Sequence, residues 1–214
     1  MSAASAKQSS RQSPKEAILS AAMQLFSSHG FDGTNFRQIT ELCGAARPLI
    51  LYHFKSKEGL WQRALEEISQ RFSVAMSARL QLPSDISDRE RARAAMRAFV
   101  ESLIEVPEFG QVLLREGCTP GPRLDWIVEH FAPPIAVDVR FRNKEVDRRV
   151  RRSILRDIMT STLLAVIALG PLLDASLAAA QRKKNAGIYP LTDAKLDEVI
   201  EMMLKLIFAD LDEG

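Results

Sequence analysis

The chain has 214 residues, 46% of them hydrophobic and 26% charged, with a net charge of +2. That length allows one or two domains with a true core, and that balance is ordinary for a soluble globular chain, not a disordered or fibrous one. No apolar run reaches the ~20 residues of a membrane span, the N-terminal MSAASAKQSSRQS lacks the apolar core of a secretory signal, and two cysteines, Cys43 and Cys118, suit a reducing cytoplasm better than a disulfide framework or zinc site.

Charge is unevenly spread: residues 1–63 carry +4 and the remainder −2. Residues 1–12, with Lys7 and Arg11, read as a disordered basic arm. Ser13-Pro14-Lys15-Glu16 is a helix start, with Ser13 as N-cap, Pro14 in the first turn and Glu16 closing a capping box. Ile18, Ala22, Leu25 and Phe26 recur at helical spacing until His29-Gly30 ends the helix.

Residues 34–60 read TNFRQITELCGAARPLILYHFKSKEGL. Thr34 is placed to cap a short helix on which Phe36, Ile39 and Leu42 share a face. Gly44 suits the break after it, and a second short helix carries residues 47–54 with Pro48 in its first turn. Two short helices joined by a glycine-bearing turn predict a helix-turn-helix, whose second helix enters the DNA major groove. The spacing assigns Ile39, Leu42, Ile50 and Phe54 to a small core and leaves Arg47, Pro48, Leu49, Tyr52 and His53 outside. Arg47 could fork onto a guanine edge or a phosphate, Leu49 touch a thymine methyl group, and Tyr52 and His53 bond phosphates.

The stretch resembles the TetR-type (tetracycline-repressor-type) regulators. That family carries a Thr, then Ile-Ala, then Ala-Gly-Val-Ser, then Leu-Tyr-x-His-Phe-x-x-Lys-x-x-Leu. Here the slots hold Thr34, Ile39-Thr40, Cys43-Gly44-Ala45-Ala46 and Ile50-Leu51-Tyr52-His53-Phe54, followed by Lys57 and Leu60. The pattern departs at Thr40, Cys43, Ala45, Ala46 and Leu51, and the last two sit where the family often uses a Ser and a Tyr on phosphates. The resemblance implies an all-α chain: a helix-turn-helix head over residues 13–60 on a larger helical body over residues 61–214. It also implies a DNA-facing set of Thr34, Arg37, Arg47, Pro48, Leu49, Tyr52, His53 and Lys57.

From Ser56 a long helix is expected through Leu60, Trp61, Ala64, Leu65, Ile68, Phe72, Val74, Ala75 and Met76 to about Leu80. Ser87 and Glu90 form another capping box, opening a helix with Ala92, Ala95, Met96, Phe99, Leu103 and Ile104 inward and Pro107 at its end. A short helix over 109–116, a loop over 118–122 and an aromatic helix with Trp126, Ile127, His130 and Phe131, stopped by Pro133-Pro134, follow. Arg140, Arg142, Lys144, Arg148, Arg149, Arg151, Arg152 and Arg156 cluster, but Asp138, Glu145, Asp147 and Asp157 interleave with them. That favours a solvated, ion-paired face over a second nucleic-acid surface or an anionic-ligand site. Two strongly apolar helices close the chain, one with Ile154, Ile158, Met159, Leu163 and Val166, the other over residues 192–211, capped by Thr192, with Leu196, Val199, Ile200, Met203 and Ile207.

On the resemblance, the body holds a small-molecule effector among Phe99, Leu103, Phe109, Trp126, Phe131 and Met159. A second copy packs across Ile158, Leu163, Val166, Val199, Met203 and Ile207. The implied function is a homodimeric, cytoplasmic repressor released from a near-palindromic double-stranded operator by its effector, without cofactor, metal or membrane. An enzyme is disfavoured: His29, His53 and His130 are scattered, and no nucleophile elbow, phosphate-binding loop or metal spacing is present. The alternative is a helical interaction or coactivator module that has lost specific DNA binding, for which Ala46 and Leu51 speak.

Overall fold

The computed structural model describes residues 13–131, 139–151, 153–168, 175 and 193–209, with side chains over 157–165 only in the 153–168 stretch. The readings on the arm over 1–12, on Pro133-Pro134, Arg152, Arg156 and the Thr192 cap, and on the side chains of Ile154 and Val166, lie outside the described residues. Within them all regular structure is helical. Two compact units divide between Glu67 and Ile68. That is a turn or two beyond the expected boundary at residue 60, because Leu60, Trp61, Ala64 and Leu65 are fully buried and belong to the first unit.

In the first unit, α1 (Pro14–Gly33) starts on the expected capping box: the Ser13 N–H donates to Glu16 Oε2 at 2.8 Å, and the Glu16 N–H to Ser13 Oγ at 3.2 Å. It breaks at Gly30 (φ 73°) and adds one more turn. α2 (Phe36–Cys43) and α3 (Arg47–Phe54) pack on α1, with Ile18, Phe26, Ile39, Ile50 and Phe54 buried between them. α4 (Lys57–Arg79) starts in this unit, where Trp61 meets the edge of Phe31 at 5.8 Å between ring centroids.

The second unit takes the rest of α4, then α5 (Asp88–Glu105), α6 (Pro107–Glu116), α7 (Pro122–Trp126) with a π-helical turn at Ile127–Phe131, α8 (Lys144–Arg151), α9 (Ser153–Ala168) and α10 (Asp193–Ile207). The Ser87–Glu90 box opens α5 as expected. Pro107 does not simply end that helix; Val106 closes α5 and caps α6, with Pro107 in the first turn, where a missing N–H costs nothing. Phe72, Phe99, Phe109 and Phe131 make the aromatic centre: Phe72 stacks on Phe109 at 3.9 Å, Phe109 on Phe131 at 4.6 Å, and Phe99 meets Phe72 edge-on. α5 is the hub, packing against α6, α9 and α10. Ile104, expected inward, is exposed at 56%, and Val74 on α4 at 58%. Each sits on a helix whose buried stripe is already filled by its neighbours, Leu103 and Val106 for the first, Phe72 and Ala75 for the second.

Candidate nucleic-acid interface

The turn between α2 and α3 is built from local chemistry. Asn35, not Thr34, caps α2: its side chain accepts the Gln38 N–H at 3.0 Å, and the Asn35 N–H donates to Gln38 Oε1 at 2.7 Å. Thr34 is 1% exposed, and its hydroxyl lies 2.8 Å from the Gly30 carbonyl and 3.1 Å from that of Leu25. It therefore closes the kink after α1, and its hydroxyl is not available to a phosphate. Gly44 ends α2 in the left-handed region (φ 70°), where a side chain would be strained though nothing crowds the space. α3 begins at Ala46 with no side-chain cap; Pro48 has no N–H and the Leu49 N–H donates to the Ala46 carbonyl at 2.9 Å, which leaves the Arg47 N–H as the donor of the first turn without a helical acceptor.

On α3 the buried residues are Ile50 and Phe54. Arg47, Pro48, Leu49 and Tyr52 are exposed, Tyr52 at 71%. The Arg47 guanidinium lies 5.1 Å from the Phe36 ring centroid, so α2 holds it by a cation–π contact. His53 is half-buried, edge-on to Tyr52 at 5.1 Å and to Phe54 at 6.1 Å. Arg37 projects from α2, 87% exposed and paired with Glu41 at 2.8 Å; that hydrogen bond raises its pKa further, so it stays charged. Lys57 is drawn back, its ammonium 4.3 Å from the Phe31 ring centroid. Leu42, expected in the core, is 48% exposed.

Two residues that the sequence reading passed over shape this face. Lys55, outside glycine the one positive-φ residue among those described (φ 66°, ψ −46°), centres a γ-turn in which the Ser56 N–H donates to the Phe54 carbonyl at 2.8 Å. Its ammonium is 3.1 Å from the Tyr52 carbonyl, adding a cation beside the exposed tyrosine. Nothing periodic in the sequence marks it. Gly59 lets α4 start against the end of α3: a Cβ there would lie 2.5 Å from the Phe54 carbonyl oxygen.

The other expected site residues fall elsewhere. Phe99, Leu103, Phe109 and Phe131 come together, but as a filled core, each 5% exposed or less. Trp126 stacks instead on His130 (4.8 Å, 7°), and Met159 is half-buried on α9. Of the expected dimer contacts, Leu163, Met203 and Ile207 are buried within the chain, which corrects their assignment to a surface; Val199 is half-buried and Ile158 is 51% exposed. The large exposed apolar residues of α10 are Met202 and Leu206.

A three-helix head presenting α3 outward after a glycine turn is a helix-turn-helix. Residues 18–64 match the family described as "Bacterial regulatory proteins, tetR family". The HTH-type transcriptional repressor NicS of Pseudomonas putida is 36% identical over 108 residues, covering 50% of either chain. The HTH-type transcriptional regulator RutR of Escherichia coli is 50% identical over 54 residues, 25% of this chain and 26% of that one. The matched stretches thus span half or less of these relatives. A solved tetR family transcription regulator from Shewanella sp. PV-4 superposes with a TM-score of 0.61 at 19% identity, covering 91% of this chain and 97% of that one. Residues 18–64 thus form a TetR-family helix-turn-helix, followed in the chain by a helical body. Among the described residues no helix is long and apolar enough to cross a membrane.

Proposed function

We propose that the protein is a DNA-binding transcriptional regulator, acting as a repressor in the cytoplasm. The observation that carries this reading is the outward face of α3, where Arg47, Pro48, Leu49 and Tyr52 are exposed while Ile50 and Phe54 anchor the helix. That face supplies a forked cation for a guanine edge, an apolar contact for a thymine methyl and a hydroxyl for phosphate. Arg37, Lys55 and the Arg47 N–H flank it with further partners for the backbone.

The working form in this proposal is a homodimer. Ile158 on α9 and Met202 and Leu206 on α10, exposed at 51%, 56% and 55%, are apolar side chains that a second copy would cover. Two α3 helices would then address half-sites roughly 34–36 Å apart, or a multiple of that. An apolar or amphipathic effector in the body would release the operator by binding one arrangement of the two heads better than the other. Ser102 supports a site near the phenylalanine cluster: one turn from Phe99, its hydroxyl is fully buried with no hydrogen-bond partner among the described residues. A ligand there has to part stacked rings.

Selection of bound sites from random duplex DNA, at two salt concentrations, tests the reading. A two-fold-symmetric site that binds more weakly at higher salt is expected, because phosphate contacts release counterions. No enriched site at either salt would overturn it in favour of an interaction module.

A further inference from the structure

The basic cluster in the body resolves into two parts. Its outer part is the ion-paired face that the alternating charges predict: Glu145 takes both Arg148 and Arg149. Its other part is concave. Arg140, Phe141, Lys144, Asp147, Arg148 and Arg151 line an open cleft of about 370 Å³, which shares Arg148 with the outer face, where it also reaches Glu145, and in which Arg151 pairs with Asp147.

The cleft is held in shape from below. Asp88, at the start of α5, accepts the backbone N–H groups of Arg142 at 2.9 Å and of Asn143 at 2.7 Å, clamping the segment that carries Arg140 and Phe141. The Arg142 guanidinium reaches back to the Ser84 carbonyl. Asn143 caps α8 through the Glu145 N–H at 2.8 Å. Asp147 accepts from Arg151 Nε at 2.7 Å and from the Phe141 N–H at 3.4 Å, so the lone carboxylate orients its neighbours. Those bonds, the Arg151 one first, hold Asp147 below the usual carboxylate range. Lys144 is exposed, with no carboxylate in ion-pair reach among the described residues.

We propose that this cleft binds a small organic polyanion carrying two or more carboxylate or phosphate groups. The spacing selects for multiple charge. Lys144, Arg148 and Arg151 lie along one face of α8 and span roughly 10 Å at 1.5 Å per residue. One carboxylate can meet two of these cations at most, whereas a molecule with several anionic groups bridges the row and Arg140. Phe141 offers its carbon frame an apolar wall. The volume falls toward the small end of the range for small-ligand sites. This site is separate from the effector reading near Ser102 and does not depend on it.

The test is calorimetric titration of the full-length protein with citrate and with pyrophosphate, against acetate at matched ionic strength. Saturable binding at one site per chain is expected, at least tenfold tighter for the two polyanions than for acetate. Lys144→Ala and Arg148→Gln should each weaken it by about fivefold to tenfold, the scale of one charge-assisted hydrogen bond, with unchanged circular dichroism. Lys15→Ala, on α1, should leave it as it was. Polyanions that bind no better than acetate, or affinities untouched by both cleft variants, would overturn the proposal. A random duplex run in parallel separates the other phosphate source. If Lys144→Ala lowers duplex affinity while neither polyanion binds, the cleft contacts nucleic acid and the proposal fails.

Discussion

Gly59→Ala puts a methyl group where the structure has none to spare. A Cβ at Gly59 would stand 2.5 Å from the Phe54 carbonyl oxygen and 3.5 Å from Ser56 Oγ. The carbonyl cannot swing away: it already accepts the Ser56 N–H at 2.8 Å, across the positive-φ turn at Lys55. Nor can α4 slide, because Leu60 and Trp61 beside Gly59 are fully buried. Overpacking of this kind costs about 1–3 kcal/mol, while alanine regains at most about 1 kcal/mol over glycine in a helix. A net loss of roughly 1–2 kcal/mol is expected. With an m-value of about 2 kcal/mol/M, the urea midpoint should fall by roughly 0.5–1 M. Trp61 reports the head, so the assay is its fluorescence in a Trp126→Phe background, compared with that background alone. A midpoint that stays or rises would show that alanine's helix preference outweighs the clash, and the close approach of α4 to α3 would be refuted.

Thr34→Val keeps the shape but removes the proton shared by the Gly30 and Leu25 carbonyls, so the head should lose about 1–3 kcal/mol. The folded variant should bind duplex DNA with unchanged affinity, and an equal loss on all sequences would return Thr34 to the phosphate contacts. Arg47→Ala should weaken operator binding by roughly 1–3 kcal/mol and relax base preference at one position; equal loss on all sequences in a binding titration would make Arg47 a phosphate contact instead. Lys57→Ala should lower affinity evenly across sequences and flatten the salt slope by about one ion, and a sequence-selective loss would count against a phosphate role. Glu90 is held below the ordinary carboxylate pKa by the Ser87 N–H, and then by its hydroxyl. The capping box therefore stabilises α5 above the unfolded carboxylate pKa and loses that contribution as pH falls through the lowered value. Glu90→Gln should flatten this acid limb in a pH series of unfolding curves, and an unchanged limb would refute the linkage.

What the sequence made legible in the head is what local chemistry decides. The Ser13 and Ser87 boxes, the Gly44 break and the outward set Arg47, Pro48, Leu49 and Tyr52 each follow from residues within one or two turns of each other. Leu42 did not, because α2 has only eight residues. Ile39 meets α1, and Leu42, one turn on and rotated by about 60°, clears it. Asn35 and Gln38 could have been read as a box and would have released Thr34 from the cap.

The body was harder for a physical reason. Its last helix is apolar on more than one stripe, and hydrophobic periodicity cannot say which stripe meets the chain itself. Charge settles the question. α5 carries Arg89, Arg93 and Arg97 at every fourth residue, and α10 carries Asp193, Asp197 and Glu201 at the same interval. In the structure Arg97 pairs with Asp193 at 3.3 Å and with Asp197, while Arg93 and Arg89 both reach Glu201, the latter at 3.2 Å. The ladder sets α10 antiparallel to α5, and its register turns Leu196, Ile200, Met203 and Ile207 inward. Each pair alone is worth little in water, but a shift by one residue would break the row and bring Met202 and Leu206 toward the core. Two matched rows of four-residue spacing were therefore the signal that separates core from surface on α10, and they place Met203 and Ile207 on the opposite side from the one that the family resemblance suggested.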